Sequence, residues 1–397
     1  MKKKVCVVTG SRAEFGLLLP IIKKIESDDS LELKLAVTGS HLSVKYGETY
    51  KEIVQQGIPI DVKIEIIQDG DNAIDINRAI AKAVAGFGEY FSKEKPDIVV
   101  ILGDRYEMLG VAAAALVSQV PVAHIHGGEI TEGAIDDSIR HAITKLSHLH
   151  FTSCEVYRNR VIQLGEHPDR VFNVGALGLE NIECINVIPK QELEKSIDFS
   201  LGDSFAIVTF HPVTLESDQV EEQVNNLLEA LETVDDMRIL FTKANADSGG
   251  IIINRMIDDF VDQHREKAVA FHSLGLIRYL SAMKYCSVVI GNSSSGIIEA
   301  PSFHVPTINI GDRQKGRIQA ESIINCIPDK NDIIQAIHKV ADPDFLCSVQ
   351  KASNPYVDGD VSNKIATVLK EFLENRNMNL KKEFYDIKFR DYLICER

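Results

Sequence analysis

The stretch Val288–Arg317 places a Gly/Ser-rich turn, Gly291-Asn292-Ser293-Ser294-Ser295-Gly296, between a short apolar run and a helix start at Ile297-Ile298-Glu299. Backbone N–H groups, serine hydroxyls and the positive end of a helix dipole suit such a turn to an anion such as phosphate. Glu299, one turn in, is placed to accept hydrogen bonds from ribose hydroxyls. Pro301 stops the helix, a second apolar run follows at Val305–Ile310, and the next turn carries Arg313, Lys315 and Arg317. The same residues would also serve an ordinary strand–turn–helix with a serine cap.

Other loops carry polar chemistry of the same kind. After the first apolar run comes Thr9-Gly10-Ser11-Arg12-Ala13-Glu14-Phe15-Gly16. It is neither G-x-G-x-x-G nor G-x-x-x-x-G-K-[ST], which takes support from NAD and P-loop ATP readings. Arg12 at a helix start opposes the dipole and makes more sense as an anion ligand, although most arginines are simply solvated. Gly103-Asp104-Arg105 puts a carboxylate at the end of a strand, facing a cleft or capping the next helix. His124-Ile125-His126-Gly127-Gly128-Glu129 and Asp136-Asp137 crowd further acids and histidines into a short span. Their composition allows a metal, but no H-x-x-x-H or H-E-x-x-H register is present, so neither metal nor cofactor is expected. Acid–base chemistry needs carboxylates of differing environment around one substrate, and Asp104, Glu129, Asp136 and Asp137 could supply it. In the second half, His211 follows a strand and could bind phosphate or donate a proton. Asn245 and the run His272-Ser273-Leu274 follow the next two strands. Arg12, Arg105, Arg313 and Arg317, with the serine turn, could gather a diphosphate.

These loops need a scaffold that brings strand ends together. Apolar β-branched runs at Val5–Val8, Leu33–Val37, Asp97–Leu102, Val122–Ile125 and Phe172–Val174 alternate with helical stretches at Phe15–Ile25, Arg105–Gln119 and Asp137–Leu146. The rhythm lapses through the polar stretch 181–203 and then restarts. Strands are expected at Phe205–Phe210, Ile239–Phe241, Val269–Phe271 and Ser287–Ile290, with helices at Gln219–Thr233, Gly250–Gln263 and Leu276–Lys284. This is an α/β pattern of two doubly wound parallel sheets, with ligands at the carboxyl ends of the strands. The boundaries read as 1–180 for the first domain, 181–203 for a linker, 204–360 for the second domain and 361–397 for a C-terminal helix and tail.

The chain has 397 residues, 45% hydrophobic and 25% charged, which fits two domains. Its net charge of −15 argues against a general nucleic-acid or membrane-surface binder, so an anionic ligand would need a local basic pocket. The 7 cysteines are scattered and form no C-x-x-C pair, which fits reduced thiols in a cytoplasm. The basic start Met1-Lys2-Lys3-Lys4 leads into a first strand and does not read as a signal peptide, and no run is long enough for a membrane span.

The motifs TGSRAEFG, VTGSHLS, LGDRYE, HIHGGE, IDDSIRHAITKLSHLHF, FHPVT, GNSSSGIIEAP and INIGDRQKGR run in this order over most of the chain. Together they resemble the hydrolysing UDP-N-acetylglucosamine 2-epimerases of bacterial sialic-acid biosynthesis. The resemblance implies a GT-B-like fold: two Rossmann-like domains, a cleft between them, and a terminal helix crossing back to the first. It implies conversion of UDP-GlcNAc to N-acetylmannosamine and UDP, by anti-elimination to 2-acetamidoglucal and then hydration. By motif, Arg12, Arg105, His211, Asn245, Ser293, Ser294, Glu299 and Arg313 would bind UDP, with His272, Ser273 and Leu274 by the uracil. Asp104 and Asp136 would be the catalytic acids, and His211 would assist departure of the phosphate. Many members read H-I-E-G-G-E where this chain has His126, which leaves the role of that glutamate to His126 or in part to Glu129. The E-G-A-I-D-D loop is also one residue longer than the usual S-G-T-I-D-D. Relatives include enzymes acting on UDP-2,4-diacetamido-2,4,6-trideoxyglucose on the route to legionaminic acid. A GT-B glycosyltransferase would share the fold and the UDP site. The family also implies a homodimer or homotetramer.

Overall fold

The computed structural model describes residues 2–68, 70, 72–132, 134–213, 219–244, 249–374 and 380–387. Its strands follow from runs of apolar, largely β-branched residues. The first sheet contains β1 (Lys3–Thr9), β2 (Leu31–Thr38), β3 (Val62–Ile64), β4 (Ile98–Leu102), β5 (Val122–Ile125), β6 (Leu149–Thr152) and β7 (Val171–Asn173), in the order β3-β2-β1-β4-β5-β6-β7. The second contains β8 (Phe205–Thr209), β9 (Arg238–Thr242), β10 (Ala268–Phe271), β11 (Val288–Gly291), β12 (Thr307–Ile310) and β13 (Ile323–Cys326), in the order β10-β9-β8-β11-β12-β13. Neighbouring strands pair in parallel throughout both sheets.

Helices cover both faces, as a parallel sheet requires. Around the first sheet run α1 (Arg12–Ser27), α2 (Tyr50–Gln55), α3 (Ala73–Glu94), α4 (Tyr106–Val117), α5 (Ile135–Leu146), α6 (Glu155–Gln163) and α7 (Leu177–Cys184). Then come α8 (Lys190–Ile197), α9 (Val220–Glu232), α10 (Gly250–Gln263), α11 (Leu276–Tyr285), α12 (Ser294–Ile298), α13 (Lys330–Val340), α14 (Pro343–Lys351) and α15 (Val361–Glu374). The two-residue period of a strand divides β1 between two cores. Val5 and Val7 pack with α1 on one face, and Cys6 and Val8 pack with α3 and α4 on the other.

Two segments differ from a simple two-block division. Val361, Ile365, Leu369 and Leu373, a stripe on one face of α15, join the core formed by β1, β4 and α1. The helix α15 is thus part of the first unit. The polar stretch expected to connect the two domains holds the end of α7 and all of α8. Leu193, Ile197 and Leu201 recur every four residues there and pack against Leu274, Met283 and Val289 of the second unit. Charged neighbours masked that periodicity in the sequence. Among the described residues, no helix is long and apolar enough to cross a membrane.

Candidate functional site

Each sheet reverses its strand order once, between β1 and β4 and between β8 and β11. At such points the loops leave the sheet in opposite directions and open a crevice. The second crevice is tightly built. Gly291 ends β11 at φ +132°, and a Cβ there would lie 1.9 Å from the Thr209 carbonyl oxygen, so glycine alone allows the two strand ends to approach so closely. Asn292 then joins the two loops: its Oδ1 accepts from the His211 backbone N–H at 2.7 Å, and its Nδ2 donates to the His211 carbonyl at 2.8 Å. Its own carbonyl accepts from Arg313 Nη1 at 3.1 Å and Gln314 Nε2 at 2.8 Å.

A cavity of about 310 Å³ lies over this crevice. Nine of the residues singled out in the sequence line it: Arg12, His211, His272, Ser273, Leu274, Ser293, Ser294, Glu299 and Arg313. Ser293 is also the N-cap of α12, its Oγ accepting from the Ser295 N–H, so the capping and pocket readings hold together. Tyr279, which the sequence did not single out, donates its hydroxyl to Ser295 Oγ at 2.8 Å and lines the same cavity. Arg12 enters from the first unit. Its Nε sits 2.7 Å from Glu52 Oε2, and its Nη1 donates to the Ser273 carbonyl at 3.4 Å. Glu299 is pressed against α7, where a Cβ on Gly178 would fall 2.4 Å from its Oε1. Burial raises the Glu299 carboxyl to about 7, against the opposing hydrogen bond from Ser295. Asn245 lies outside the described residues.

The facing wall belongs to the first sheet. Asp104 follows β4 and does not cap α4, whose N-cap is Arg105. Its Oδ2 accepts from Arg140 Nη2, with Thr131 Oγ1 at 3.4 Å, and its side chain stays 21% exposed. Burial alone would raise the Asp104 carboxyl, but Arg140, supported by Arg317 and Arg313, holds it below its ordinary value. It is therefore held ionised. Arg140 was missed in the sequence. The signal was its position four residues after Asp136 on α5, which puts both on one helix face. Neither Asp136 nor Asp137 is the N-cap of α5, a position held by Ala134. Asp137 Oδ1 accepts from the Thr131 N–H at 2.8 Å, whereas Asp136 adds to the field on Arg140. Arg105 is paired with Glu107 at 2.7 Å.

His126 and Glu129 are turned into the protein. His126 sits at φ +64° and is only 9% exposed. Its Nε2 accepts from the Leu177 N–H at 3.3 Å, which puts the ring proton on Nδ1, 3.6 Å from Glu129 Oε1. Burial lowers its pKa despite the attraction of Glu129, so the ring is neutral. Glu129 is 2% exposed. Its Oε1 accepts from Ser153 Oγ at 2.7 Å, and its Oε2 meets Arg140 at 3.2 Å and Arg317 at 2.9 Å. Burial would raise this carboxyl, but the Arg317 and Arg140 guanidiniums, with the Ser153 hydrogen bond, hold it well below its ordinary value. Arg317, expected among the cations that gather a diphosphate, is instead spent on Glu129 and on the Ile130 carbonyl, 2.8 Å from its Nε. Among the described residues, no group of three or more His, Cys, Asp or Glu is placed to hold a metal ion.

Two Rossmann-type sheets, a cavity lined by arginines, serines and a carboxylate, and an arginine-held aspartate on the facing wall define a GT-B-like two-unit α/β protein. The chain belongs to the UDP-N-acetylglucosamine 2-epimerase family, whose model matches residues 23–370. It is 43% identical over 388 residues to the GDP/UDP-N,N'-diacetylbacillosamine 2-epimerase (hydrolyzing) of Campylobacter jejuni, covering 97% of this chain and 100% of that protein. It is 41% identical over 389 residues to polysialic acid biosynthesis protein P7 of Escherichia coli, covering 97% and 98%. Its fold matches a crystal structure of a UDP-N-acetylglucosamine 2-epimerase from Listeria monocytogenes with a TM-score of 0.79 at 17% identity, over 98% of this chain and 100% of that one.

Proposed function

We propose that this protein is a hydrolysing 2-epimerase that converts UDP-N-acetylglucosamine to N-acetylmannosamine and UDP. The observation that carries the reading is the pairing of Asp104, held ionised by Arg140, with a facing cavity lined by Arg12, Arg313, the serine turn and Glu299. The C2 proton of a neutral sugar is barely acidic until C1 develops positive charge, so stabilisation of the leaving group must lead. Arg12, Arg313, His211 and the serine turn take the charge that grows on the diphosphate, and Glu299 accepts from the ribose. The C1–O bond breaks, UDP departs with the electron pair, and Asp104 takes the C2 proton, giving 2-acetamidoglucal. Water then adds its hydroxyl to C1, and a proton returns to the opposite face of C2. Asp136, the second carboxyl beside Arg140, takes the proton released by the attacking water and passes it to C2, while Asp104 gives up its own proton to solvent, so both carboxylates end ionised.

A second reading has the same chemistry on UDP-2,4-diacetamido-2,4,6-trideoxyglucose. It is favoured by the name of the Campylobacter jejuni relative at 43% identity. Incubation with each UDP-sugar in deuterated water, without acceptor, separates the possibilities. UDP release with N-acetylmannosamine deuterated at C2 is the expected result. Turnover of the diacetamido sugar alone would move the assignment to the second substrate. UDP release without deuterium would rule out elimination, and release only with an acceptor would mark a glycosyltransferase.

A further inference from the structure

The charged residues between the two units form one continuous chain. The turn after β11 holds Arg313 and Gln314 through the Asn292 carbonyl, at 3.1 and 2.8 Å. Three residues beyond Gln314, Arg317 crosses to the first unit and reaches Glu129 at 2.9 Å and the Ile130 carbonyl at 2.8 Å. Glu129 reaches Arg140 at 3.2 Å, and Arg140 donates to Asp104 and, at 3.0 Å, to Thr131 Oγ1. The links are buried: Glu129 is 2%, Arg140 3% and Arg317 8% exposed.

We propose that Glu129 is a positioning residue that couples engagement of the nucleotide-binding loop to alignment of Asp104, through Arg317 on one side and Arg140 on the other. The inference rests on the UDP-sugar reading above. Glu129 is too enclosed to touch a sugar, and each of its oxygens already accepts from a protein donor. Its single negative charge is shared by two guanidiniums, one from each unit. When the loop that carries Arg313 closes on a diphosphate, Arg317 moves with it and draws on Glu129. That contact sets how much of the Glu129 charge remains for Arg140, and hence where Arg140 holds the Asp104 carboxylate. Alignment of the base is thereby tied to the position of the loop that grips the leaving group.

The test compares the parent protein with Glu129→Gln, Arg317→Gln and the double variant. Because Glu129→Gln leaves two buried guanidiniums facing an amide, Arg317→Gln serves as the independent break in the same chain. Each single variant is expected to lower kcat by about 100-fold, the scale of a misplaced catalytic group. KM should stay where it is and both limbs of the pH–rate profile should remain, since Glu129 transfers no proton. The double variant should lose no more than the singles, because both break one path. Amide exchange gives a readout independent of turnover. UDP should slow exchange in both the turn after β11 and α5 of the parent protein, but only in the turn in each variant. Parent-like kcat, additive losses, a lost limb of the pH profile in Glu129→Gln, or UDP protection of α5 in the variants would each overturn the coupling. If the parent protein shows no UDP-dependent protection and no UDP release, the functional reading itself fails, and the coupling with it.

Discussion

Glu299 shows how one residue can be read for type in the sequence and for state only in the structure. Its place one turn after the serine turn suggested a ribose ligand. Its carboxyl, raised to about 7 chiefly by burial, follows from the approach of α7 at Gly178. Ribose hydroxyls donate, so they bind the ionised form. Below about pH 7 the free protein holds a proton there, and UDP binding must expel it. UDP affinity is therefore expected to weaken by about five- to tenfold between about pH 8 and about pH 6. Titration calorimetry of Glu299→Gln, whose profile keeps only the contribution of the phosphate itself, isolates the effect. An identical pH slope in the variant would contradict it. His126 and Glu129 illustrate the same division. Both were legible as polar groups after β5, but the structure turns both inward.

At the scale of elements, α5 carries the arginine and aspartate of one wall on its first turns, and its far end is secured by a distant segment. Lys382 Nζ sits 2.7 Å from Glu166 Oε2 and donates to the carbonyls of Lys145 at 2.9 Å and Ser147 at 2.5 Å. Glu166 is 1% exposed and also holds His150 and Lys145. A cation at a helix C-terminus satisfies carbonyls that the helix leaves unpaired. Lys382→Ala is expected to destabilise the protein by about 1–3 kcal/mol, seen as a lower thermal midpoint, with UDP affinity unchanged. An unaltered midpoint would show that Lys145 and His150 suffice for Glu166. Most strands were legible as elements, because buried parallel strands are continuously apolar. The long α3 was not, since the first half of its buried face is small, Ala79 and Ala83, and the larger Phe87, Tyr90 and Phe91 follow only near its end, among many charges. The short β6 contains His150 and blends into the preceding helix pattern.

Across the whole molecule, the proposed reaction puts binding and bond-making on opposite walls, and the two should then separate experimentally. Asp104→Asn is expected to keep UDP affinity near that of the parent protein while reducing turnover by at least about 100-fold, the loss typical of a removed base. Calorimetry and UDP-release assays on the same preparation check both halves. Loss of UDP binding with the fold intact would show that Asp104 belongs to the nucleotide site. The sequence by itself determined the two doubly wound units and singled out nine of the residues that line the cavity beside β11. Both are written in local patterns: apolar runs that must be buried, and turn residues that follow them. Only the tertiary structure decided the partners of the charges. Arg317 left the expected diphosphate cluster for Glu129, and Arg140 became the residue that holds Asp104. Pairing depends on which loops the two sheets bring together across the cleft, and on the high cost of leaving a buried charge unmatched. Neither is a property of any short stretch of chain.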